Sequence, residues 1–124
     1  MTYKDAMEYP FLIERIEQIK AQMADLEQRY YEIAEKSSKR ELHTYNDAWR
    51  VLNAQLIDCE TRREAFEKWL ASVPDRWMQT VMFMRFVDNM TWAKIGEQMK
   101  CKAATVRKTV QRYMAKEAKR KHEN

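Results

Sequence analysis

Two long stripes of apolar residues constrain this chain more than any other feature of its sequence. In both stripes the spacing alternates between three and four residues, which puts their members on one face of an α-helix. Each stripe is held over several turns, so each helix is predicted to pack along a coiled-coil-like seam. The first stripe comprises Leu12, Ile16, Ile19, Met23, Leu26, Tyr30 and Ile33. The second comprises Trp49, Leu52, Leu56, Cys59, Phe66, Leu70 and Val73, and only Arg63, between Cys59 and Phe66, interrupts it.

Polar residues separate the two stripes between Ser37 and Tyr45, and the second stripe starts in a different register from the first. The sequence therefore predicts two helices of similar length that fold into an antiparallel hairpin, with Thr44 or Asn46 capping the second helix. The alternative is one long helix that pairs with another chain, because residues 37–48 contain neither Gly nor Pro.

Residues that break helices are rare in this chain. The 124 residues include one Gly and two Pro, and 34% are charged against 45% hydrophobic, which suits amphipathic helices with solvated outer faces. We therefore expect an all-α protein in which a helical hairpin, residues 1–73, precedes a three-helix module, residues 74–124. Pro74 and Asp75 mark the junction, since Pro interrupts a helix and Asp favours the start of the next one.

The stretch from Met90 to Met114 has the spacing of a helix-turn-helix. Counted from Trp92, Gly96 falls at the fifth position, where the two helices cross so closely that only Gly or Ala fits. Thr91 is placed to cap the first helix. The positions that must be apolar are also filled, by Ile95, Met99, Val106 and Val110 in the helices and by Cys101 in the turn.

A shorter apolar face predicts a helix that ends near Val87 and braces the helix-turn-helix. Asp88 and Asn89 form the turn after it, because Asn tolerates a left-handed backbone. Trp92 is expected to pack on this bracing helix. Four of the nine Met residues lie between Met78 and Met90, which indicates either an adaptable binding surface or, as we favour, part of a core.

The second helix of the motif, predicted at about 103–117, is rich in donors suited to phosphates and base edges. Residues 1–74 carry 11 Lys and Arg against 14 Asp and Glu, a net charge of −3, whereas residues 75–124 carry 12 against 5, a net charge of +7. A positive field on this module favours a polyanion. The basic tail after Met114 is either a solvated helix end or a further contact to DNA backbone. The candidate DNA-binding residues are Lys102, Ala103, Ala104, Thr105, Arg107, Lys108, Gln111, Arg112 and Lys116.

Residues 84–109 resemble the C-terminal module of small phage transcriptional regulators of the ArpU and RinA type, a module similar to region 4 of sigma factors. The family pattern is roughly Leu-Arg-Tyr-aliphatic-acid-Gly-Leu-Ser-Trp-x-x-Ile-Ala, and this chain has Met-Arg-Phe-Val-Asp-Asn-Met-Thr-Trp followed by Ile95-Gly96. It departs from the family at Lys100 and Lys102, where Gly and Ser are usual. The resemblance implies a regulator that reads double-stranded DNA with its second helix, and the positions that approach base edges correspond to Ala103, Ala104, Arg107 and Lys108.

Other classes of function find little support in the sequence. One Gly leaves no Gly-rich phosphate loop, and no nucleophile has a His partner that spacing would suggest, so we expect neither an enzyme nor a cofactor. Cys59 and Cys101 are 42 residues apart, with only His43 and His122 as further ligands, which predicts two reduced, mostly buried thiols rather than a zinc site. No signal peptide or membrane span is evident, and we expect a protein of the bacterial host cytoplasm.

Two functions from different classes follow. The first is a sequence-specific regulator of phage or prophage origin, in which the hairpin supplies homodimer contacts or contacts to host RNA polymerase. The second is a protein-interaction factor, for example an inhibitor or an assembly or packaging factor, in which the hairpin or the Met-rich face binds another protein and the helix-turn-helix is a scaffold. The dependence of DNA affinity on salt would separate them.

Overall fold

The computed structural model describes residues 1–36 and 39–123. Within these ranges the chain forms helices and no strands, which confirms the all-α class. The helices are α1 (Tyr3–Met7), α2 (Tyr9–Lys36), α3 (Lys39–Ser72), α4 (Arg76–Met82), α5 (Trp92–Met99) and α6 (Ala103–Glu123). A π-helical turn over Phe83–Val87 follows directly on the fourth helix, α4, and the two together form the bracing helix.

The contacts divide the chain into two compact units. The hairpin unit is Phe11–Arg63, and the helix-turn-helix unit is Met1–Pro10 together with Glu64–Asn124. Both long helices, α2 and α3, therefore contribute residues to both units. The boundary predicted between residues 73 and 74 falls inside the helix-turn-helix unit.

In the hairpin unit α2 and α3 pack side by side, as the two stripes predict. Ile16 and Ile19 are almost fully buried, and the thiol of Cys59 is buried with them, which confirms its predicted place in the seam. The helices run antiparallel, because Tyr30 stacks on Tyr45 with ring centroids 4.6 Å apart while residues near the start of α2 face Cys59. The side chain of Ile33, the last member of the first stripe, lies outside the described residues.

Helix α3 begins earlier than the sequence predicted. The Thr44 hydroxyl donates to the Arg40 carbonyl oxygen at 3.2 Å within the helix, so the prediction that Thr44 or Asn46 caps α3 is wrong. Helix α3 starts earlier because the apolar spacing continues ahead of Leu52. Trp49, assigned to the seam, is 38% exposed. Half-buried Leu42, Tyr45 and Ala48 carry the stripe instead.

The helix-turn-helix unit has a core of its own, to which α1, the end of α3 and α4 to α6 all contribute. The second stripe therefore serves two cores, because Phe66, Leu70 and Val73 are buried here and not in the hairpin unit. Met78 and Met82 are buried in the same core, which confirms the favoured interpretation of the Met-rich face. The largest fully buried side chains of this core include Phe66, Phe86, Met82, Ile95, Met114, Val81, Val106 and Val110.

Helix α1, which lies ahead of the first apolar stripe, is capped and belongs to this core. The Thr2 hydroxyl accepts from the Asp5 N–H at 3.1 Å, and the Asp5 carboxylate accepts from the Thr2 N–H at 3.4 Å, so α1 starts with a reciprocal capping box. Ala6 is fully buried. The Tyr9 ring lies 4.5 Å from that of Phe66, and its hydroxyl donates to Glu67 at 2.7 Å.

Candidate nucleic-acid interface

The helix that braces the motif starts and ends as predicted. The Asp75 carboxylate accepts from the Met78 N–H at 3.1 Å and caps α4. Asn89 has φ of 55°, the left-handed conformation expected of the turn, and the Thr91 hydroxyl then caps α5 by accepting from the Lys94 N–H at 3.3 Å. The Asp75 and Thr91 side chains and the left-handed backbone of Asn89 fix where α4 begins and where α5 follows it.

Arg85 holds the bracing helix against the start of α5. Its Nη1 donates to the Met90 carbonyl oxygen at 2.9 Å, and its guanidinium lies 4.8 Å from the centroid of the Trp92 ring. Trp92 therefore packs against the bracing helix, as predicted. Sequence reasoning gave Arg85 no role, because a cation that stacks on an aromatic ring across a turn leaves no periodic signal.

The crossing of α5 with the segment that leads into α6 is closer than predicted. A Cβ atom at residue 96 would lie 2.7 Å from the Cys101 carbonyl oxygen and 3.1 Å from the Ala103 nitrogen. Both neighbours are backbone atoms, so neither can move aside by a change of rotamer. The expectation that Gly96 could be replaced by Ala is therefore wrong, and only Gly fits this backbone.

The turn itself is narrow. Lys100 caps α5 in the left-handed conformation, with φ of 55° and ψ of 40°, and the Cys101 N–H donates to the Gly96 carbonyl oxygen at 2.9 Å. Cys101 is exposed, so the prediction of a buried thiol filling an apolar slot in the turn is wrong. Backbone contact with Gly96 closes the turn instead, and the Cys101 thiol lies 3.3 Å from the Met99 carbonyl oxygen.

One side of α6 is fixed by the core. Val106 and Val110 are fully buried and Met114 nearly so, as the motif requires. Farther along, Glu117 accepts from the Trp69 indole N–H at 2.7 Å, which ties α6 to the end of α3. Burial, and then the neighbouring Glu117 and Asp75, raise the pKa of the Tyr113 hydroxyl.

The opposite side of α6 is exposed and basic. Among the described residues no carboxylate pairs with Arg107, Lys108 or Arg112, so their charges face solvent. The helix covers the predicted 103–117 and continues to Glu123, which makes the start of the basic tail helical. Ala103 is half-buried beside Gly96. The remaining candidate residues are all exposed: Lys102, Ala104, Thr105, Arg107, Lys108, Gln111, Arg112 and Lys116.

The start of α6 has no side-chain cap among the described residues. The Lys102 carbonyl oxygen accepts from the Val106 N–H at 3.1 Å, which places Lys102 at the cap position. A lysine side chain has no acceptor, so it cannot satisfy the first N–H groups of the helix. Those groups and the Lys102 ammonium together make this end of α6 positive.

The described part of the chain holds no group of three or more His, Cys, Asp or Glu side chains that could bind a metal ion. None of its helices is long and apolar enough to cross a membrane. Comparison of the chain with protein-family models, curated protein sequences and solved structures gives no match. The resemblance to phage regulators therefore stays a prediction from the residues.

Proposed function

We propose that this protein is a sequence-specific double-stranded DNA-binding transcriptional regulator of phage or prophage origin, with α6 in the major groove. The observation that supports this most directly is the two-sided character of α6. Fully buried Val106 and Val110 hold one side rigidly, and the other side presents cations that are not neutralised by described carboxylates. Such a helix keeps its charges in a fixed pattern, which recognition of a duplex requires.

The exposed side chains at α6 divide into one that is suited to contact base edges and others that are suited to contact phosphates. Arg107 lies in the second turn of α6, and its guanidinium can donate a bidentate pair to guanine. Lys102, at the positive end of the helix, and Arg112 are suited to phosphates, which they attract without discriminating sequence. Lys108, Lys116, Thr105 and Gln111 complete the polar face, and Ala104 leaves room for close approach.

The regulatory part of the proposal concerns the partners. Host RNA polymerase is a proposed partner, as for the regulators that the chain resembles, and the hairpin unit would provide contacts to it or to another copy of this chain. The protein would act in the cytoplasm of the bacterial host, without catalytic activity or a cofactor.

Substitution of Arg107 tests this proposal. After selection of a preferred site from random duplex DNA, Arg107→Ala should weaken binding to that site by about 1–3 kcal/mol and to scrambled duplex by much less. Arg112→Ala should weaken both duplexes by similar factors and lower the salt slope by about one unit. The control is Arg50→Ala, which removes an equal charge from an exposed position of the hairpin unit.

Binding isotherms at several salt concentrations measure the affinity of each variant for the selected and the scrambled duplex. Equal losses on the two duplexes for Arg107→Ala would show that Arg107 does not read sequence. Affinity that is independent of salt would remove DNA as the partner altogether.

A protein-interaction factor is the second candidate, and one surface favours it. Phe83 is 48% exposed and lines a cleft of about 300 Å³ on the bracing helix. A large exposed aromatic side chain beside a cleft is typical of protein-binding sites. Phe83→Ala should leave DNA affinity unchanged if the DNA proposal is right, and this variant therefore separates the two functions.

A further inference from the structure

The two edges of the hairpin unit differ in how their charges are satisfied. On one edge, named here the Arg15 edge, Arg15 donates to Gln55 at 2.9 Å across the helices. Two ion pairs within single helices lie on the same side, Asp25 with Arg29 at 3.2 Å and Asp58 with Arg62 at 3.9 Å. These charged groups of the Arg15 edge therefore find partners within the chain.

The opposite edge carries exposed apolar side chains and unpaired charges. Each residue turns an α-helix by about 100°, and this rotation places one group of residues from α2 and one from α3 on the same side of the helix pair. Neither Lys20 nor Glu27 forms an ion pair with a described residue. We name this surface the Trp49 edge, and it consists of Ile13, Lys20, Glu27 and Tyr31 on α2 with Trp49 and Ile57 on α3.

The amount of exposed apolar surface on the Trp49 edge suits a protein interface. Tyr31 is 66% exposed, Ile57 56%, Trp49 38% and Ile13 37%. With about 150–250 Å² for a whole aromatic side chain, these fractions amount to roughly 400 Å². A standard interface buries about 800 Å² on each partner, a little more than half of it apolar. The Trp49 edge therefore supplies most of the apolar surface that one such interface uses.

The spacing along this edge is self-complementary. Because Arg15 faces Gln55 and Tyr30 faces Tyr45, Trp49 lies level with about residue 23 of α2, and Ile57 with about residue 15. Tyr31 is then roughly 12 Å from the level of Trp49 in one direction, and Ile57 roughly 12 Å in the other. Lys20 and Glu27 also lie at nearly equal distances on either side of that level.

We propose that the Trp49 edge binds a second copy of this chain in an antiparallel arrangement, with a twofold axis near Trp49. The axis brings Tyr31 of each copy against Ile13 and Ile57 of the other, and Lys20 of each copy against Glu27 of the other. An interface of this kind is isologous, so each favourable contact occurs twice. The dimer decides between the two partners that the proposed function leaves open for the hairpin unit. It does not depend on DNA binding, because no residue of α6 takes part.

Sedimentation equilibrium of the full chain tests the proposal. The parent protein should be a dimer at micromolar concentration, and Ile57→Glu should weaken association at least tenfold. Val51→Glu is the matched control, because Val51 is 58% exposed on the Arg15 edge of the same helix, and this variant should associate like the parent within about twofold. Far-UV circular dichroism checks that both variants keep the parent's helix content.

Charge exchange tests the register. Lys20→Glu and Glu27→Lys should each weaken association several-fold, because each sets like charges against one another twice in the dimer. The double variant should recover the parent affinity within about twofold, since the pairs re-form with reversed signs.

A monomeric parent protein would overturn the proposal. So would equal losses in Ile57→Glu and Val51→Glu, or a double charge variant no better than the single ones. Fluorescence anisotropy with a short labelled duplex is measured on the same variants. A monomer that still binds DNA would remove the dimer and leave the proposed function in place, whereas a dimer with no affinity for DNA would do the reverse.

Discussion

Gly96 sets the distance between α5 and the turn that leads into α6. Its missing side chain leaves space for the Cys101 carbonyl oxygen, and the turn residue Lys100 adopts a left-handed backbone to bring that carbonyl into place. Spacing in the sequence identified the crossing. It could not show whether the neighbour was a side chain that can move or a backbone oxygen that cannot.

Replacement of Gly96 by Ala should therefore destabilise the protein, although Ala is the better helix former by about 1 kcal/mol. We expect a net loss of about 1–3 kcal/mol in the free energy of unfolding, the usual cost of excess volume at a packed site. Urea unfolding measures it, with Gln98→Ala at an exposed position of α5 as the control. A Gly96→Ala variant as stable as its parent would mean that the turn backbone shifts without cost.

At the scale of the elements, α1 is the clearest departure from what the sequence predicted. The helix is five residues long, too short for an apolar period to be recognised, and its buried side chain is Ala6. Tyr9, at the start of α2, adds a second buried side chain close behind it. Only the capping box between Thr2 and Asp5 could have revealed α1, because that pattern is a local signal. Its consequence is that the start of the chain helps to stabilise the unit that carries α6.

Tyr9 and Phe11 offer a direct test of that role. Tyr9→Ala removes a 7% exposed ring that packs on Phe66 and should cost about 3–5 kcal/mol, the range for large aromatic side chains in cores. Phe11→Ala removes a ring that is 69% exposed two residues later and should change stability by less than about 0.5 kcal/mol. Thermal or urea unfolding of both variants gives the comparison, and equal effects would show that the first ten residues do not support the core through Tyr9.

Long periodic elements were the predictable part of this fold. The hairpin, the bracing helix and the capping residues Asp75 and Thr91 follow from apolar spacing and local capping chemistry. The start of α3 was missed because Leu42 and Tyr45 are set among polar residues that hide the stripe. The exposed cations of α6 were predicted as a set, whereas the exposure of Cys101 depends on the backbone path of the turn, which spacing does not encode.

For the whole molecule, the arrangement of cores matters more than the order of helices. The hairpin unit fills residues 11–63, and the helix-turn-helix unit draws on both sides of it in the sequence. Phe66, Leu70 and Val73 precede the junction at Pro74 yet are buried with α4 to α6. A cut at Pro74 would therefore divide one core.

A fragment of residues 74–124 should lack the cooperative unfolding and much of the helix content of the full chain, since the cut removes Tyr9, Phe66 and Trp69 from its core. Its affinity for a preferred duplex should fall to a weak, strongly salt-dependent level, because the charges remain while their fixed pattern is lost. Circular dichroism during heating, compared with the full chain, measures the first effect. A fragment that melts cooperatively at the parent's temperature would contradict the shared core.

The contact of α1 with α6 also constrains the order of events during synthesis. The residues of α1 find their packing partners only after α4 and α6 have been translated, because the Tyr3 ring lies 5.8 Å from that of Phe86 and Met114 belongs to the same core. The hairpin of α2 and α3 lies between these partners in the sequence. It can form its own contacts in the meantime, since its two helices are neighbours in sequence. Helix α1 thus precedes its packing partners in synthesis and is among the last elements to acquire its native surroundings.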